Sequence, residues 1–434
     1  MRASRREFLA GGLATGLAGG LAAAGVGRAG AATGARPRTG LLAPGSRPFP
    51  QLPAGTDQIP QIEHIVVLMM ENHSFDDHLG MLGRGDGFTL GSDRLPLNYN
   101  PDPSGGYLRS FPMPSTCQPT NEGVSQSWNA SHLSYARGAN TGFVASSGPD
   151  SMGYWGRDQL PFYYDMASRF PVGDRYFASV LAQTYPNRRF LIAGTALGDV
   201  ATNSSGVSAT LPPNGTIFQQ LDLAGISWKN YYPVVPTVAL FYPLFTANDG
   251  TDRLASMARF LADAASGQLP AFSLVDPWPD DSEEHGDISI GEAYTAAVVN
   301  ALMAGPKWSS TALIWIYDEH GGYYDHVPPP AAVAPDDVPP EITVPPDQPG
   351  GYDRYGFRVP CCVVSAWSRA DYVSHQVYDH TSVLKLVETK WNLPALTYRD
   401  ANAGNMLDFF DFSSSTPPSS SPPPWPPPST PTTP

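Results

Sequence analysis

Four short apolar runs, each bounded by turn-forming residues, constrain the fold of this chain more than any other feature. They are IEHIVVLMM at 62–70, PAFSLVD at 270–276, TALIWIY at 311–317 and RVPCCVVS at 358–365. None alternates cleanly between apolar and polar residues, so each run indicates a strand buried on both faces. Helical patterns occupy 288–304 and 381–392. Strands interspersed with helices predict an α/β fold with a doubly wound, mostly parallel central sheet and helices on both of its faces.

The N-terminal segment 1–31 has the pattern of a twin-arginine export signal. Arg5 and Arg6 precede a Gly/Ala-rich apolar run that ends in small residues around Ala31. A membrane-spanning anchor is the alternative, but Gly and Ala supply little transfer free energy. We therefore expect a protein exported to the periplasm, cell wall or medium, with the twin-arginine translocase as a transient partner and no stable membrane anchor. This route carries folded proteins, which suits a metalloprotein.

The remaining chain divides into a linker, one domain and a tail. Residues 32–58 are rich in Pro and Gly and indicate a linker, whereas the Ser/Pro/Thr-rich segment 413–434 is expected to be disordered or extended. The domain between them spans 59–412. Two of its segments, 85–150 and 327–351, have loop composition. We expect the first to form a loop-rich cap over the carboxyl edge of the strands.

Charge excludes several classes of partner. The 434 residues carry a formal net charge of −14 and a pI near 5.0, which argues against nucleic acid and against a basic membrane-binding patch. An anionic substrate would need a local positive centre.

Three cysteines are too few for a disulfide framework. Cys361 and Cys362 indicate buried thiols, although a bridge from Cys117 stays open as an alternative.

Acidic residues follow two of the predicted strands directly. Glu71 and Asn72 come after the first, and Asp318 and Glu319 come after the third. In an open α/β sheet, ligands bind at the carboxyl ends of strands, and oxygen donors from two loops can hold a divalent cation. For either pair alone, a helix cap or a solvated carboxylate is an equal alternative. Two such pairs favour a metal site.

Five segments resemble the bacterial phosphoesterase family that contains exported phospholipases C and a group of acid phosphatases. They are IEHIVVLMMENHSFDDHLG at 62–80, FASVLAQTYPNRRFLIAGTA at 177–196, DDSEEHGD at 280–287, IWIYDEHGGYYDHVPPP at 314–330 and DHTSVLKLVETKWNLPALTYRD at 379–400. The first and fourth are the most diagnostic. The family is similar to the alkaline phosphatase and sulfatase superfamily, so the resemblance implies an alkaline-phosphatase-like fold.

The resemblance also implies a catalytic site. It assigns the metal, whose identity stays open between calcium, zinc and magnesium, to Glu71, Asn72, Asp318 and Glu319. Thr184 matches the family's hydroxyl nucleophile, and His285 and His320 match histidines near the phosphoryl group. These matches predict hydrolysis of a phosphate ester through a phosphothreonine intermediate.

The residues around Thr184 support the assignment without requiring it. Pro186 is suited to the first position of a helix, which places Thr184 at or just before the N-cap. A hydroxyl that only caps the helix is the alternative. A helix N-terminus can also receive a phosphate, with Asn187 and Arg188 as contacts for its oxygens. One of Arg188 and Arg189 is expected at the surface.

One departure from the family concerns a histidine that commonly precedes the tryptophan of the cap. In this chain, Gln126 occupies the position of that histidine in VSQSWNASHLSY. His132 is the candidate to take the place of the histidine beside the substrate. His73 and His78 lie near a loop–helix start, where hydrogen-bonded structural histidines are more usual than metal ligands.

We expect a phospholipase C, with a phosphate ester and among these a phospholipid as substrate. Alternatives are an acid phosphomonoesterase of the same family and a non-catalytic binding protein stabilised by calcium. A serine esterase is disfavoured because the chain has no G-x-S-x-G motif. A sulfatase is disfavoured because no C-x-P-x-R or S-x-P-x-R segment is convincing.

Overall fold

The computed structural model describes residues 38–414 except 119–123, 204–206 and 278–285, together with 416, 417 and 426–428. The predicted export signal at 1–31, His285 and most of the tail lie outside the described residues. Residues 38–58 contain no helix or strand, but they contact the domain: Gln58 donates from its main chain to Lys390, and Arg38 pairs with Asp337.

Twelve strands and eleven α-helices are described. The strands are β1 His64–Met70, β2 Tyr99–Pro101, β3 Tyr107–Arg109, β4 Phe111–Pro112, β5 Gly153–Tyr154, β6 Val172–Gly173, β7 Trp228–Tyr231, β8 Leu254–Ala255, β9 Phe272–Val275, β10 Thr311–Tyr317, β11 Cys361–Ser365 and β12 Val373–Ser374. The helices are α1 Phe75–Leu79, α2 Trp128–Tyr135, α3 Phe143–Ser147, α4 Pro161–Arg169, α5 Thr184–Ala193, α6 Ile217–Leu223, α7 Tyr242–Asn248, α8 Met257–Ser266, α9 Ile288–Ala304, α10 His380–Trp391 and α11 Tyr398–Ala401.

Eight strands form the central sheet in the order β12-β6-β11-β10-β1-β9-β7-β8. β1 lies between β9 and β10 and is parallel to both, whereas β11 is antiparallel to both of its neighbours. The predicted mostly parallel α/β sheet is therefore confirmed. Every residue of β1 and β10 is buried, because side chains on both faces of these strands are covered by the surrounding helices and loops.

The segments predicted as loops are largely irregular. The described part of segment 85–150 contains the short β2–β3 hairpin, strand β4, the helices α2 and α3, the 3-10 turn Ala136–Gly138 and the start of the 3-10 turn Pro149–Met152. The segment 327–351 contains neither helix nor strand. All three cysteines are free, and Cys361 and Cys362 are buried in β11. Across the described ranges, the longest apolar helices fall short of what a bilayer crossing would require.

Candidate active site

The two acidic loops meet at the carboxyl edge of the sheet. Met70 and Tyr317 are paired in register, so the loops that follow β1 and β10 start side by side. The main-chain N–H of Asn72 donates to Oδ1 of Asp318 at 3.0 Å. A Cβ at Gly321 would overlap the carbonyl oxygen of Asn72, so only glycine permits this approach of the two loops.

Thr184 contacts one of these loops instead of capping its helix. Helix α5 begins at Thr184, with Gln183 as the N-cap residue and Pro186 in the third position. The predicted helix start at Pro186 is therefore wrong by two residues. Thr184 lies in the first turn of α5, and its side chain makes no cap hydrogen bond. Its hydroxyl donates to Oδ1 of Asn72 at 3.3 Å.

The start of α5 offers few donors for a phosphate. Tyr185 donates its N–H to the Thr202 hydroxyl at 3.1 Å, Pro186 has no N–H, and Asn187 donates to the Gln183 carbonyl. The helix terminus therefore contributes less to anion binding than its place in the sequence suggests.

Arg188 lies among three carboxylates. Its Nε donates to Asp318 at 3.0 Å, Nη2 to Glu71 at 3.1 Å and Nη1 to Asp276 at 3.4 Å. Neither Arg188 nor Arg189 is at the surface, because each is buried against acidic partners, and the expectation of one surface arginine is wrong. Arg188 therefore binds the acidic loops. Its predicted contact with phosphate oxygens stays a prediction.

The charges of this group fit a divalent cation. Glu71, Asp276 and Asp318 supply three carboxylates to the single guanidinium of Arg188, and Glu319 follows Asp318 directly in the chain. Burial raises the pKa of Asp318 and of Asp276 against the opposing attraction of Arg188. A buried excess of negative charge is costly unless a cation offsets it. Hard cations select such carboxylate and amide oxygens.

The buried side-chain atoms without a hydrogen-bond partner within the described residues include Nδ2 of Asn72 and Nε2 of His320. His320 is adjacent in sequence to Gly321, which packs on Asn72, and its Nδ1 lies 3.3 Å from Oε2 of Glu319. Burial lowers the pKa of His320 to about 3, so its imidazole is neutral near pH 7. Asn72 and His320 belong to the loops that follow β1 and β10, so these two polar atoms suit a ligand that bears several oxygens.

The other predicted contacts lie apart from this group. The Asn187 carboxamide accepts from the N–H groups of Ser179 and Val180 and donates to main-chain carbonyls, which favours a role in shaping its loop. His132 stacks on Trp128 with ring centroids 4.1 Å apart. Its Nδ1 lies 2.8 Å from the Trp128 carbonyl. Across the described chain no hydrogen bond joins His132 to Thr184.

Two residues of this group were missed by the sequence interpretation. Asp276 follows β9, the other parallel neighbour of β1, so the argument applied to Asp318 also identifies it. His380 lies 2.7 Å from the Asp318 carbonyl through Nε2 and 3.2 Å from the Tyr176 hydroxyl through Nδ1. Burial lowers the pKa of His380 to about 4. The neutral ring of His380 thereby holds the backbone of the loop that follows β10. No pattern in the sequence indicates this role.

A second group of potential metal ligands lies just beyond Asn72. His73, Asp77 and His78 are buried, with one ligand atom of each within 4.8 Å of the others. Burial, reinforced by His78, lowers the pKa of His73 well below its usual value. The sequence interpretation favoured a structural role for these histidines over metal ligation and did not include Asp77 with them.

The profile of the phosphoesterase family matches residues 62–394. The chain belongs to the phosphoesterase family. It is a hydrolase of phosphate esters, as the five sequence segments predict. Phospholipase C A of Mycobacterium tuberculosis is 31% identical over 411 residues, covering 81% of this chain and 78% of that protein. Non-specific phospholipase C1 of Arabidopsis thaliana is 31% identical over 404 residues, covering 82% and 72%.

A distant likeness to solved structures accompanies these relatives. A protein of the alkaline phosphatase superfamily from Vibrio parahaemolyticus matches with a TM-score of 0.41 and 10% identity, covering 82% of this chain and 71% of that one.

Proposed function

We propose that this phosphoesterase is an exported, metal-dependent phospholipase C that acts through a phosphothreonine on Thr184. The observation that carries the proposal is the chain of contacts from the Thr184 hydroxyl to Asn72 and from Asn72 to Asp318. It links the nucleophile of the family motif to both acidic loops. The similarity to phospholipases C supports the choice of reaction.

Glu71, Asn72, Asp318 and Glu319 would hold the cation. The Thr184 hydroxyl, which donates to Oδ1 of Asn72 at 3.3 Å, lies beside these ligands. A bound cation would supply Lewis acidity that lowers the pKa of a hydroxyl and offsets phosphoryl charge.

The reaction then follows from the side chains. Thr184 Oγ1 loses its proton to water and forms a bond to phosphorus as the bond from phosphorus to the leaving ester oxygen breaks. Nδ2 of Asn72 donates to a phosphoryl oxygen, whereas Nε2 of neutral His320 carries the lone pair, because Nδ1 faces the Glu319 carboxylate. Burial keeps His320 deprotonated, so we assign protonation of the leaving alkoxide to His285. Water subsequently hydrolyses the phosphothreonine and regenerates Thr184.

Replacement of the nucleophile tests the mechanism. We expect Thr184→Ala to lose at least about 1,000-fold in turnover of p-nitrophenyl phosphorylcholine, whereas Thr184→Ser keeps an attacking hydroxyl. Acid-quenched wild-type enzyme should carry phosphate on residue 184, as measured by mass spectrometry. Near-normal turnover by Thr184→Ala with metal bound would remove Thr184 from this role.

A substrate panel separates the lipid-directed activity from a phosphomonoesterase. Phosphatidylcholine vesicles, phosphorylcholine and p-nitrophenyl phosphate should be compared across calcium, zinc and magnesium. Release of phosphorylcholine from the vesicles with little hydrolysis of the two monoesters is the expected result. Preferential hydrolysis of the monoesters would replace the phospholipase C assignment, and no hydrolysis with any metal would favour the calcium-stabilised binding protein.

A further inference from the structure

His73, Asp77 and His78 form a buried cluster separate from the four proposed ligands of the catalytic cation. His73 Nε2 lies 3.8 Å from Asp77 Oδ2, and His78 Nδ1 lies 3.2 Å from Asp77 Oδ1. All three side chains are 1% exposed or less. We propose that this cluster is a second metal site, built for zinc.

The separations suit one tetrahedral ion. Zinc binds imidazole nitrogen and carboxylate oxygen at about 2.0–2.2 Å, which places tetrahedral ligand atoms about 3.3 Å apart. The observed 3.2 and 3.8 Å reach different oxygens of Asp77, so the side chains must shift for one oxygen to serve both imidazoles. Two imidazoles and one carboxylate favour zinc over calcium or magnesium, which prefer sites built from oxygen alone. The Gln118 side chain hydrogen-bonds to His73, and a fourth ligand from its amide oxygen would share that atom with the Tyr323 hydroxyl, which donates to it at 2.6 Å.

Charge supports the same assignment. Asp77 is a fully buried carboxylate, and a carboxylate in such surroundings is costly without a cation. A divalent ion between Asp77 and the two imidazoles would offset its charge.

The surroundings orient the His73 ring as a ligand. Nδ1 of His73 lies 3.2 Å from the Glu71 carbonyl, and this bond directs Nε2 toward Asp77. Metal-bound histidines commonly donate their second nitrogen to a carbonyl in this way. The ring also stacks on Tyr323, with centroids 4.8 Å apart.

The site is closed and therefore structural in type. The rings of Trp155, Tyr317 and Tyr323 pack around His73, and Tyr163 packs near His78. Structural zinc sites are enclosed by their ligands, whereas catalytic ones keep an open position. A zinc ion here would stabilise the turn that carries Glu71 and Asn72 without taking part in hydrolysis.

The test measures metal rather than activity, so it does not depend on the proposed function. The full chain with Asp318→Asn, which weakens the catalytic cation site, is loaded with zinc and freed of unbound metal. Elemental analysis should find about one zinc per chain, lost on adding His78→Gln and kept on adding His375→Gln, an exposed control. No zinc in the Asp318→Asn chain, or zinc retained by the His78→Gln chain, overturns the proposal.

X-ray absorption at the zinc edge covers the case in which His78→Gln fails to fold. The Asp318→Asn chain needs no further substitution for this measurement. Two imidazole nitrogens and carboxylate oxygen in the first coordination sphere would support the site. A sphere of oxygen alone, or of a single imidazole, would overturn it.

Discussion

Arg188 shows how one side chain can hold the carboxylates of a whole site together. Its guanidinium is shared by Glu71, Asp276 and Asp318, which come from the ends of three neighbouring strands. Their attraction raises the pKa of Arg188 further, although burial alone would lower it. Nothing in the linear sequence separates Arg188 from its neighbour Arg189, since the distinction depends on which side of α5 faces the sheet. Sequence reasoning therefore found the residue but not its role.

Replacing Arg188 should destabilise the fold by leaving three carboxylates without their cation. We expect Arg188→Gln to lower the free energy of unfolding by about 3–5 kcal/mol in metal-free protein. The loss should shrink when a divalent cation is added. Urea unfolding with and without metal measures both effects.

Arg259→Gln is the matched control for this experiment. Arg259 also pairs with aspartates, but its side chain is half exposed, so the loss of stability should be much smaller than for Arg188→Gln. Equal losses for the two variants would show that Arg188 does not offset buried charge.

At the scale of elements, four strands of the central sheet were predictable, whereas the short strands β6, β7, β8 and β12 were not. The predicted runs 311–317 and 288–304 match β10 and α9 to the residue, because continuous apolar character and helical periodicity are local properties. Convergence of the acidic loops also followed from sequence, since parallel strands end at a common edge. The helix start at Thr184 was misplaced because Pro186 tolerates the third position as well as the first.

The contact between the two acidic loops depends on Gly321. A methyl group there would overlap the Asn72 carbonyl, and the backbone has a φ of +66°. We expect Gly321→Ala to cost about 1–3 kcal/mol and to reduce kcat/KM by a larger factor, because Asn72 and Asp318 move apart. Thermal unfolding and kinetics on one preparation measure the two effects.

Gly156→Ala serves as the control for that substitution. A Cβ at Gly156 meets no atom within 4 Å. Its stability and kcat/KM should match those of wild type. Unchanged kinetics in Gly321→Ala would contradict the proposed dependence of the site on close contact between the loops.

At the scale of the molecule, a buried charge network joins the first and fourth family segments. Arg358 donates to Asp76 and Asp325, and Asp76 accepts from the N–H and lies 2.6 Å from Nδ1 of His326. Burial alone would lower the pKa of His326, but attraction and hydrogen bonding to Asp76 raise it to about 9. The network ties the segments that follow β1 and β10 to Arg358, which precedes β11.

The raised pKa of His326 predicts stability that is lost in alkali. Because the folded-state value exceeds the unfolded value of about 6.5, the contribution is fully present below pH 6.5 and declines as pH rises through 9. It is on the order of 3 kcal/mol. We expect wild type to exceed His326→Gln in free energy of unfolding at pH 6 and to lose most of this advantage by pH 10.

His375→Gln is the control for this pH series. His375 also pairs with an aspartate, Asp174, but its side chain is 73% exposed. Its substitution should alter stability little at either pH. An advantage of His326 that stays constant between pH 6 and pH 10 would contradict the predicted linkage.

The central position of β1 has a consequence for biosynthesis. Residues 64–70 leave the ribosome early, but their first partner is complete only when the chain reaches residue 275, and the second only at 317. Until then this apolar segment has two open edges, a state that invites chaperone capture or aggregation. Nascent chains stalled between these points should be held by chaperones, and Thr184, Asn72 and Asp318 can first meet only after residue 318 has been synthesised.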